Sequence, residues 1–307
     1  MSTLNYRKAL SPFMVFGFIK SPDSPSLNDK IHGLNTSFRI VPLKDYGYFF
    51  FNVPSFSDLA MNEEMVAIKL GQVRSGNEFI TTSTILNRGW ITPSDANHED
   101  ICGNALVLCF SNHKPHFCVY KPLNSIWQLY YFVNEKYIFC TNNLHLMTEL
   151  MDDPQLNPDA IPMHFLFRSV PGHQTYLKDV YRLCPGEILK WHDETLNIKL
   201  CRDYHVFSPE GSYQQVTSTA ADHFYEQLKW VVNVYMKELN TNGYSTATML
   251  SGGVDSSLLQ LSINNYLNSS RRQPSLTYAS DAPSFAPEIN YAKLASKLLE
   301  TDHTFVV

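Results

Sequence analysis

The chain has 307 residues, which is long enough for two domains that each bury a hydrophobic core. Hydrophobic residues make up 44% of the chain and charged residues 17%, as in folded globular proteins, and no apolar run is long enough to span a membrane. The net charge of -5 argues against a nucleic-acid-binding surface, because such a surface needs clustered lysine and arginine. Six cysteines occur without a Cys-x-x-Cys pair, so neither a zinc site nor a disulfide framework is predicted.

The first half of the chain is predicted to be rich in β-strands. The apolar run at 13–19 is too short for a signal peptide, so we interpret it as the first strand and expect a cytoplasmic protein. Further short apolar runs lie at 47–51, 105–110 and 137–140, with Pro, Asn, Ser and Gly clusters between them. This pattern favours a β-rich half whose strands are joined by hairpins and loops.

After residue 150 the pattern changes. Asn157 as a cap and Pro158 in the first turn predict the start of a helix, which the Val-Pro-Gly at 170–172 ends. A turn and a strand follow at 180–191. Apolar residues at helical spacing then predict an amphipathic helix over 217–239.

The last part of the chain alternates between predicted strands and helices. In order, these are a strand at 244–250, a helix at 256–267 with Leu258, Leu259, Ile263 and Tyr266 on its apolar side, a strand at 276–279, a helix through Tyr291, Leu294 and Leu298, and a strand at 304–307. Such alternation predicts a parallel α/β sheet.

One loop between a predicted strand and helix has the composition of a phosphate-binding site: Ser251, Gly252, Gly253, Val254, Asp255, Ser256 and Ser257. A turn of this kind directs backbone N–H groups and the positive end of a helix dipole at one point. Gly252 and Gly253 allow a phosphate to approach the backbone closely. The hydroxyl groups of Ser251, Ser256 and Ser257 are additional donors.

Asp255 is the predicted Mg²⁺ ligand of this loop. A carboxylate beside a polyphosphate would repel it unless a cation lay between them. The loop spacing matches neither the Gly-Lys-Ser/Thr of a Walker A loop nor the Gly-x-Gly-x-x-Gly of a dinucleotide-binding turn.

The loop resembles the pyrophosphate-binding loop of N-type ATP pyrophosphatases, which adenylate a carboxylate or carbonyl oxygen and release pyrophosphate. Residues 171–187, with Pro-Gly at both ends, resemble the stretch that joins the two domains of asparagine synthetases. Residues 202–205, Arg-Asp-Tyr-His, are similar to the Arg-x-Tyr-Trp of that family. Downstream, Glu288 and residues 301–303, Thr-Asp-His, also resemble it. The similarity extends over about residues 100–307.

Resemblance to the asparagine synthetase family implies an α+β domain followed by an α/β domain. Residues 1–205 would form a glutaminase-like, β-rich sandwich of the N-terminal-nucleophile (Ntn) type. Residues 206–307 would form the N-terminal part of a parallel-sheet ATP-pyrophosphatase domain. ATP and Mg²⁺ would be the cofactors, and the backbone around Thr277, Tyr278 and Ala279 would hold the adenine. No catalytic residue is assigned, and Glu288 either faces the substrate or caps a helix.

The chain departs from the family at the glutaminase nucleophile. Phe13 stands where glutamine-dependent members have an N-terminal cysteine. Ser2, exposed by removal of Met1, is the remaining candidate nucleophile, but we favour an N-terminal arm for this segment. We therefore expect no glutaminase activity, as in the β-lactam synthetases and lasso-peptide cyclases.

A second departure concerns length. The synthetase domain of the family continues beyond the point where residue 307 falls, with a Gly-rich acidic loop and a catalytic lysine. We therefore expect either a truncated product or a second polypeptide that completes the site.

Three functions are compatible with the sequence. The first is an amide-bond ligase that uses ATP to adenylate a small-molecule or peptide carboxylate, releases pyrophosphate and AMP, and lets an amine or ammonia attack. The second is a non-catalytic nucleotide-binding or scaffold subunit, which the missing half favours and the intact loop disfavours. A thiolating or tRNA-modifying pyrophosphatase ranks last, because it needs a basic surface or paired cysteines.

Overall fold

The computed structural model describes residues 15–19, 39–43, 47–52, 58–76, 78–89, 101–135, 137–192, 195–200, 218–241, 243–267, 273–280 and 282–306. The chain divides into two compact units, Met1–Val206 and Phe207–Val307. No helix among the described residues combines the length and apolar character needed to cross a membrane. The five described cysteines are all free thiols, and Cys201 lies outside the described residues.

The first unit contains two antiparallel sheets. One sheet has the order β11-β9-β10-β1-β3-β2, formed by β1 (Val15–Ile19), β2 (Arg39–Pro42), β3 (Tyr48–Asn52), β9 (Tyr130–Val133), β10 (Tyr137–Thr141) and β11 (Val180–Arg182). The other has the order β13-β12-β8-β7-β5-β4, formed by β4 (Asp58–Met61), β5 (Met65–Ser75), β7 (Ile101–Ser111), β8 (Phe117–Lys121), β12 (Glu187–His192) and β13 (Thr195–Leu200), and β6 (Glu78–Phe79) pairs with β5.

The two sheets face each other across an aromatic core. Phe49 and Phe51 of β3 point into this core, where the Phe49 ring stacks on Phe110 with the ring centroids 3.9 Å apart. The intervening Phe50 belongs to a different cluster on the outer side of its sheet. Successive side chains of a strand point to opposite faces, so β3 is buried on both.

A short helix covers the outer face of each sheet. Helix α1 (Thr82–Arg88) contributes Ile85 to the cluster on β5, β7 and β8, and α2 (Leu144–Leu150) contributes Met147 and Leu150 to the cluster around Phe50. Thr81 caps α1 by accepting from the N–H of Thr84. The described part of the unit is therefore layered as helix, sheet, sheet, helix, and the predicted β-rich sandwich is confirmed.

Helix α3 (Ala160–Phe167) begins later than the sequence suggests. Asp159 is the N-cap residue, whereas Asn157 lies before the helix and its side-chain oxygen accepts from the N–H of Asp159. The predicted cap at Asn157 is therefore wrong by two residues. The helix is apolar apart from His164, yet Ala160 is its one buried residue.

The second unit is an α/β layer. Its strands β14 (Thr248–Met249), β15 (Pro274–Tyr278) and β16 (Asp302–Val306) pair in parallel in that order. Its helices are α4 (Ser218–Thr241), α5 (Val254–Leu267) and α6 (Ala286–Leu298), with a 3-10 turn at Pro283–Phe285. Residues of α5 and α6 line one cleft, so the two helices lie on the same face of the sheet.

Two sequence predictions for this unit need correction. The first strand was expected over 244–250, but only two residues of it pair with β15. The apolar side expected for α5 is also wrong in part, because Leu259 is exposed while Gln260 and Ser262 are buried. Ile263 is buried as expected and packs with Val232 and Met236 of α4.

Candidate phosphate-binding site

The predicted phosphate loop lies between the end of β14 and the start of α5. The N–H of Leu250 still donates to the carbonyl of Leu276 at 2.9 Å, and α5 begins at Val254. Gly252 has a φ of +79°, and a Cβ there would lie 2.4 Å from the backbone of Tyr291 and Ala292 in α6. Glycine is therefore required for the loop to pass α6.

Two serines brace the loop internally. The Ser256 hydroxyl donates to the carbonyl of Gly253 at 3.2 Å, so the 3.1 Å bond between the hydroxyls of Ser251 and Ser256 has Ser251 as its donor. The N–H of Gly253 donates to the Ser251 hydroxyl, and the N–H of Ser251 donates to the Ser256 hydroxyl, each at 3.3 Å. Two of the three hydroxyls predicted to bind phosphate, those of Ser251 and Ser256, thus have partners inside the loop. The N–H of Ser257 begins the regular helical bonds.

Four backbone N–H groups of the loop have no acceptor among the described residues. They belong to Gly252, Val254, Asp255 and Ser256. The first N–H groups of a helix lack intrahelical acceptors, and the helix dipole places partial positive charge beside them. Such a turn can bind a phosphate group, and the assignment of residues 251–257 to that role stays a prediction.

The Asp255 side chain suits the Mg²⁺ role that the sequence gives it. It is exposed in the first turn of α5, within the same loop as the unpartnered N–H groups. A hard cation such as Mg²⁺ prefers oxygen ligands and retains several waters, so one exposed carboxylate with a polyphosphate can hold it.

An apolar cleft of about 450 Å³ opens beside the loop, between α5 and α6. It is lined by Gly252, Gly253, Val254, Ser257, Leu258, Leu261, Tyr291, Leu294, Ala295, Leu298 and Leu299. Tyr278, predicted to mark the adenine position, is absent from this lining and its side chain is 75% exposed. Glu288 is exposed in the first turn of α6, so both interpretations of it stand.

Thr277 and His303 are neighbours of the loop to whose side chains the sequence analysis gave no role. The Thr277 hydroxyl donates to the carbonyl of Leu250, and His303 Nε2 lies 3.1 Å from that hydroxyl. No short motif marks either residue. A polar side chain at every second position of a strand beside the loop was the available signal.

In the first unit, the two candidate positions for a nucleophile, Ser2 and Phe13, lie outside the described residues. A different cluster forms where His173, Cys184 and Glu187 bring their ligand atoms within 4.8 Å of one another. His173 Nε2 lies 2.6 Å from one Glu187 oxygen, and the N–H of Cys184 donates to the other at 2.7 Å. Burial lowers the pKa of nearby Lys121 to about 8. The buried Glu187 carboxylate therefore links His173 to the backbone of Cys184.

Residues 241–307 match the family model described as asparagine synthase. The matched segment contains the whole loop from Ser251 to Ser257 together with β14, β15 and β16. The match supports a relation of this segment to the asparagine synthase family, and it spans less than half of the chain.

Comparison with curated proteins finds no match. Among solved structures, glutamine phosphoribosylpyrophosphate amidotransferase from B. subtilis in complex with ADP and GMP has a TM-score of 0.38 at 8% identity, covering 96% of this chain and 90% of that chain. A structure titled as the allosteric regulatory enzyme of purine biosynthesis has a TM-score of 0.39 at 7% identity, with the same coverage. Scores this low do not support a functional assignment.

Proposed function

We propose that the second unit binds the phosphates of ATP at residues 251–257 and serves an ATP-dependent ligase that forms amide bonds. The unpartnered N–H groups of Gly252, Val254, Asp255 and Ser256 carry this proposal. They point from a strand-to-helix turn whose glycine cannot be replaced without meeting α6. The asparagine synthase match to residues 241–307 supports the same function.

The proposed reaction has two steps. A carboxylate oxygen of the substrate attacks the α-phosphorus of ATP, a new P–O bond forms, and pyrophosphate leaves with the electron pair of the broken P–O bond. An amine or ammonia then attacks the acyl carbon, and AMP leaves. The acceptor is a small-molecule or peptide carboxylate.

The loop would stabilise the leaving pyrophosphate in the first step. Its N–H groups are fixed before reaction, so little reorganisation is needed as negative charge develops on the leaving group. Asp255 would hold Mg²⁺, which neutralises that charge when bound. The exposed position of Asp255 leaves room for the remaining water ligands.

The first unit would be a glutaminase-like scaffold without glutaminase activity. Phe13 in place of the family's cysteine supports this, because a phenyl ring offers no nucleophile. Glutamine hydrolysis that disappears on Ser2→Ala would contradict it.

A second polypeptide would cover part of the sheet in the second unit. The sheet of the second unit supports this, because Met249, Tyr278 and Val306 expose apolar surface on its strands. Surface of this kind is usually covered by protein. A native mass above 35.1 kDa for the protein isolated from its own cell is the expected result, and a monomeric mass would contradict this part.

A competition experiment tests the phosphate site. A fluorescent ATP analogue should bind the purified chain in the presence of Mg²⁺, and inorganic pyrophosphate should displace it, because the loop is proposed to hold that group. Asp255→Asn should weaken Mg²⁺-dependent binding by about tenfold, as expected for one lost charged contact. Asp222→Asn, on the exposed side of α4, is the matched control.

Failure of pyrophosphate to compete would overturn the phosphate assignment. Equal losses for Asp255→Asn and Asp222→Asn would show that only the net charge matters, and would remove Asp255 as the Mg²⁺ ligand.

A further inference from the structure

A line of hydrogen bonds runs across the strands directly behind the phosphate loop. The hydroxyl of Thr277, in β15, donates to the carbonyl of Leu250, the last residue before the loop. His303, in β16, places Nε2 3.1 Å from the same hydroxyl. Thr277 is 6% exposed, so water does not readily replace these bonds.

The carbonyl of Leu250 depends on this side chain. Parallel pairing of β14 with β15 ends where the N–H of Leu250 donates to Leu276, and no described backbone N–H donates to the Leu250 carbonyl. The Thr277 hydroxyl therefore replaces the next bond of the ladder. A carbonyl held in this way fixes the peptide plane that leads into Ser251.

The direction of each bond follows from the number of protons. Thr277 has one hydroxyl proton, which goes to Leu250, so its oxygen can only accept from His303. The Nε2 atom of His303 must then bear a hydrogen. Burial lowers the pKa of His303, which favours the neutral ring with a single N–H.

The other ring nitrogen has a suitable neighbour. Ser275 Oγ lies 2.7 Å from His303 Nδ1 and donates to Thr301 Oγ1 at 2.7 Å. Ser275 has one hydroxyl proton, which its bond to Thr301 uses, so the contact with Nδ1 does not select the tautomer. The hydrogen on Nε2 follows from Thr277 alone.

We propose that His303 and Thr277 are positioning residues that hold the phosphate loop in its binding conformation through the carbonyl of Leu250. The link to nucleotide rests on the function proposed above. The loop tolerates little displacement, since the backbone of α6 lies directly against Gly252. Rotation of the peptide before Ser251 would move the N–H groups that are to meet the phosphates.

Two matched pairs of variants test the proposal. Thr277→Val keeps the shape of threonine without a donor, whereas Thr277→Ser keeps the hydroxyl. His303→Gln places an amide nitrogen near the position of Nε2, whereas His303→Asn reaches only the position of Nδ1. If Thr277 and His303 acted only through packing, the two variants of each pair would have similar effects.

The readouts are amide exchange without nucleotide and ATP affinity. Exchange is followed at the hydrogen-bonded N–H groups of Leu250, Ser251 and Gly253, with Ile85 of α1 as an internal reference. Thr277→Val and His303→Asn should speed loop exchange about fivefold and weaken ATP binding about fivefold, as for one neutral hydrogen bond. Thr277→Ser and His303→Gln should stay close to the wild type.

Wild-type exchange in Thr277→Val, or equal effects of His303→Asn and His303→Gln, would overturn the positioning role. If Thr277→Val does not fold, the comparison of the two His303 variants still tests the positioning role. Exchange is measured without nucleotide, so it tests the positioning role independently of ATP binding. If the variants show the expected exchange pattern but the wild type binds no ATP, the positioning role is supported and only the proposed function is rejected.

Discussion

Gly252 and Gly253 are adjacent in the sequence, yet the structure gives them unequal roles. A Cβ on Gly252 would lie 2.4 Å from the backbone of α6, and the residue would have to adopt a φ of +79°. A Cβ on Gly253 would lie 3.4 Å from Ser251 Oγ, which is an ordinary van der Waals contact. We expect Gly252→Ala to lower the free energy of unfolding by about 2 kcal/mol or more, and Gly253→Ala by less than about 1 kcal/mol.

Denaturant unfolding of the two variants checks this difference, with circular dichroism to confirm that both fold. Equal losses of stability would mean that the loop does not pass α6 as described.

Lys121 gives the first unit a pH dependence. Its side chain is 1% exposed and donates to the carbonyl of Leu183 at 3.1 Å, and burial lowers its pKa from 10.5 to about 8. Between these values the unfolded chain binds the proton and the folded chain does not, so stability rises with pH. Relative to Lys121→Met, the free energy of unfolding of the wild type should rise by about 1–2 kcal/mol between pH 7 and pH 9.5.

Denaturant unfolding at the two pH values measures the gain. Lys114→Met, at an exposed lysine, should show no comparable change relative to the wild type. A wild-type advantage over Lys121→Met that is independent of pH would contradict the lowered pKa.

At the scale of elements, β3 and α3 are both apolar but differ in how they are packed. Phe49 of β3 is 2% exposed and stacks on Phe110, while Phe165 of α3 is 82% exposed. Phe49→Ala should therefore cost about 3–5 kcal/mol of unfolding free energy, and Phe165→Ala less than about 0.5 kcal/mol. Denaturant unfolding compares the two. A similar cost at both positions would show that α3 is buried in solution.

Helix α4 was predictable from the sequence because its apolar residues recur at helical spacing, and it spans Ser218–Thr241 against the expected 217–239. The short length of the strand expected over 244–250 was not predictable. The Gln273 side chain donates to the carbonyl of Thr246 at 2.9 Å and takes the place of a ladder bond there. A long-range side-chain contact of this kind leaves no periodic signal.

The packed side of helix α5 was not predictable from the sequence for a similar reason. Gln260 and Ser262 are buried although they are polar, because Gln260 donates to Asn264 and Ser262 donates to the carbonyl of Leu258. Local hydrogen bonds lower the cost of burying polar groups, so a pattern of apolar residues alone misplaces the packed side.

At the scale of the whole molecule, strand content and the order of elements were predictable, but strand pairing was not. Gly17 of β1 illustrates why, since it lies opposite Phe50 and a Cβ there would lie 2.7 Å from the Phe50 ring. The same Cβ would lie 2.4 Å from the Ile138 carbonyl of β10, so the missing side chain in β1 makes sense only between β3 and β10, which are distant in sequence. The strand-to-helix turn at 251–257 was predictable because strand, glycines and helix are contiguous, whereas Thr277 and His303 join it through the sheet.

The central claim is that the loop binds the phosphates of ATP through its free N–H groups, and residue-resolved NMR during titration with Mg²⁺-ATP tests it most directly. The amide signals of Gly252, Val254, Asp255 and Ser256 should shift and saturate together, because these groups have no acceptor among the described residues. Amides of the first unit, such as that of Leu108, should not move. Unchanged loop amides at saturating Mg²⁺-ATP would contradict the claim.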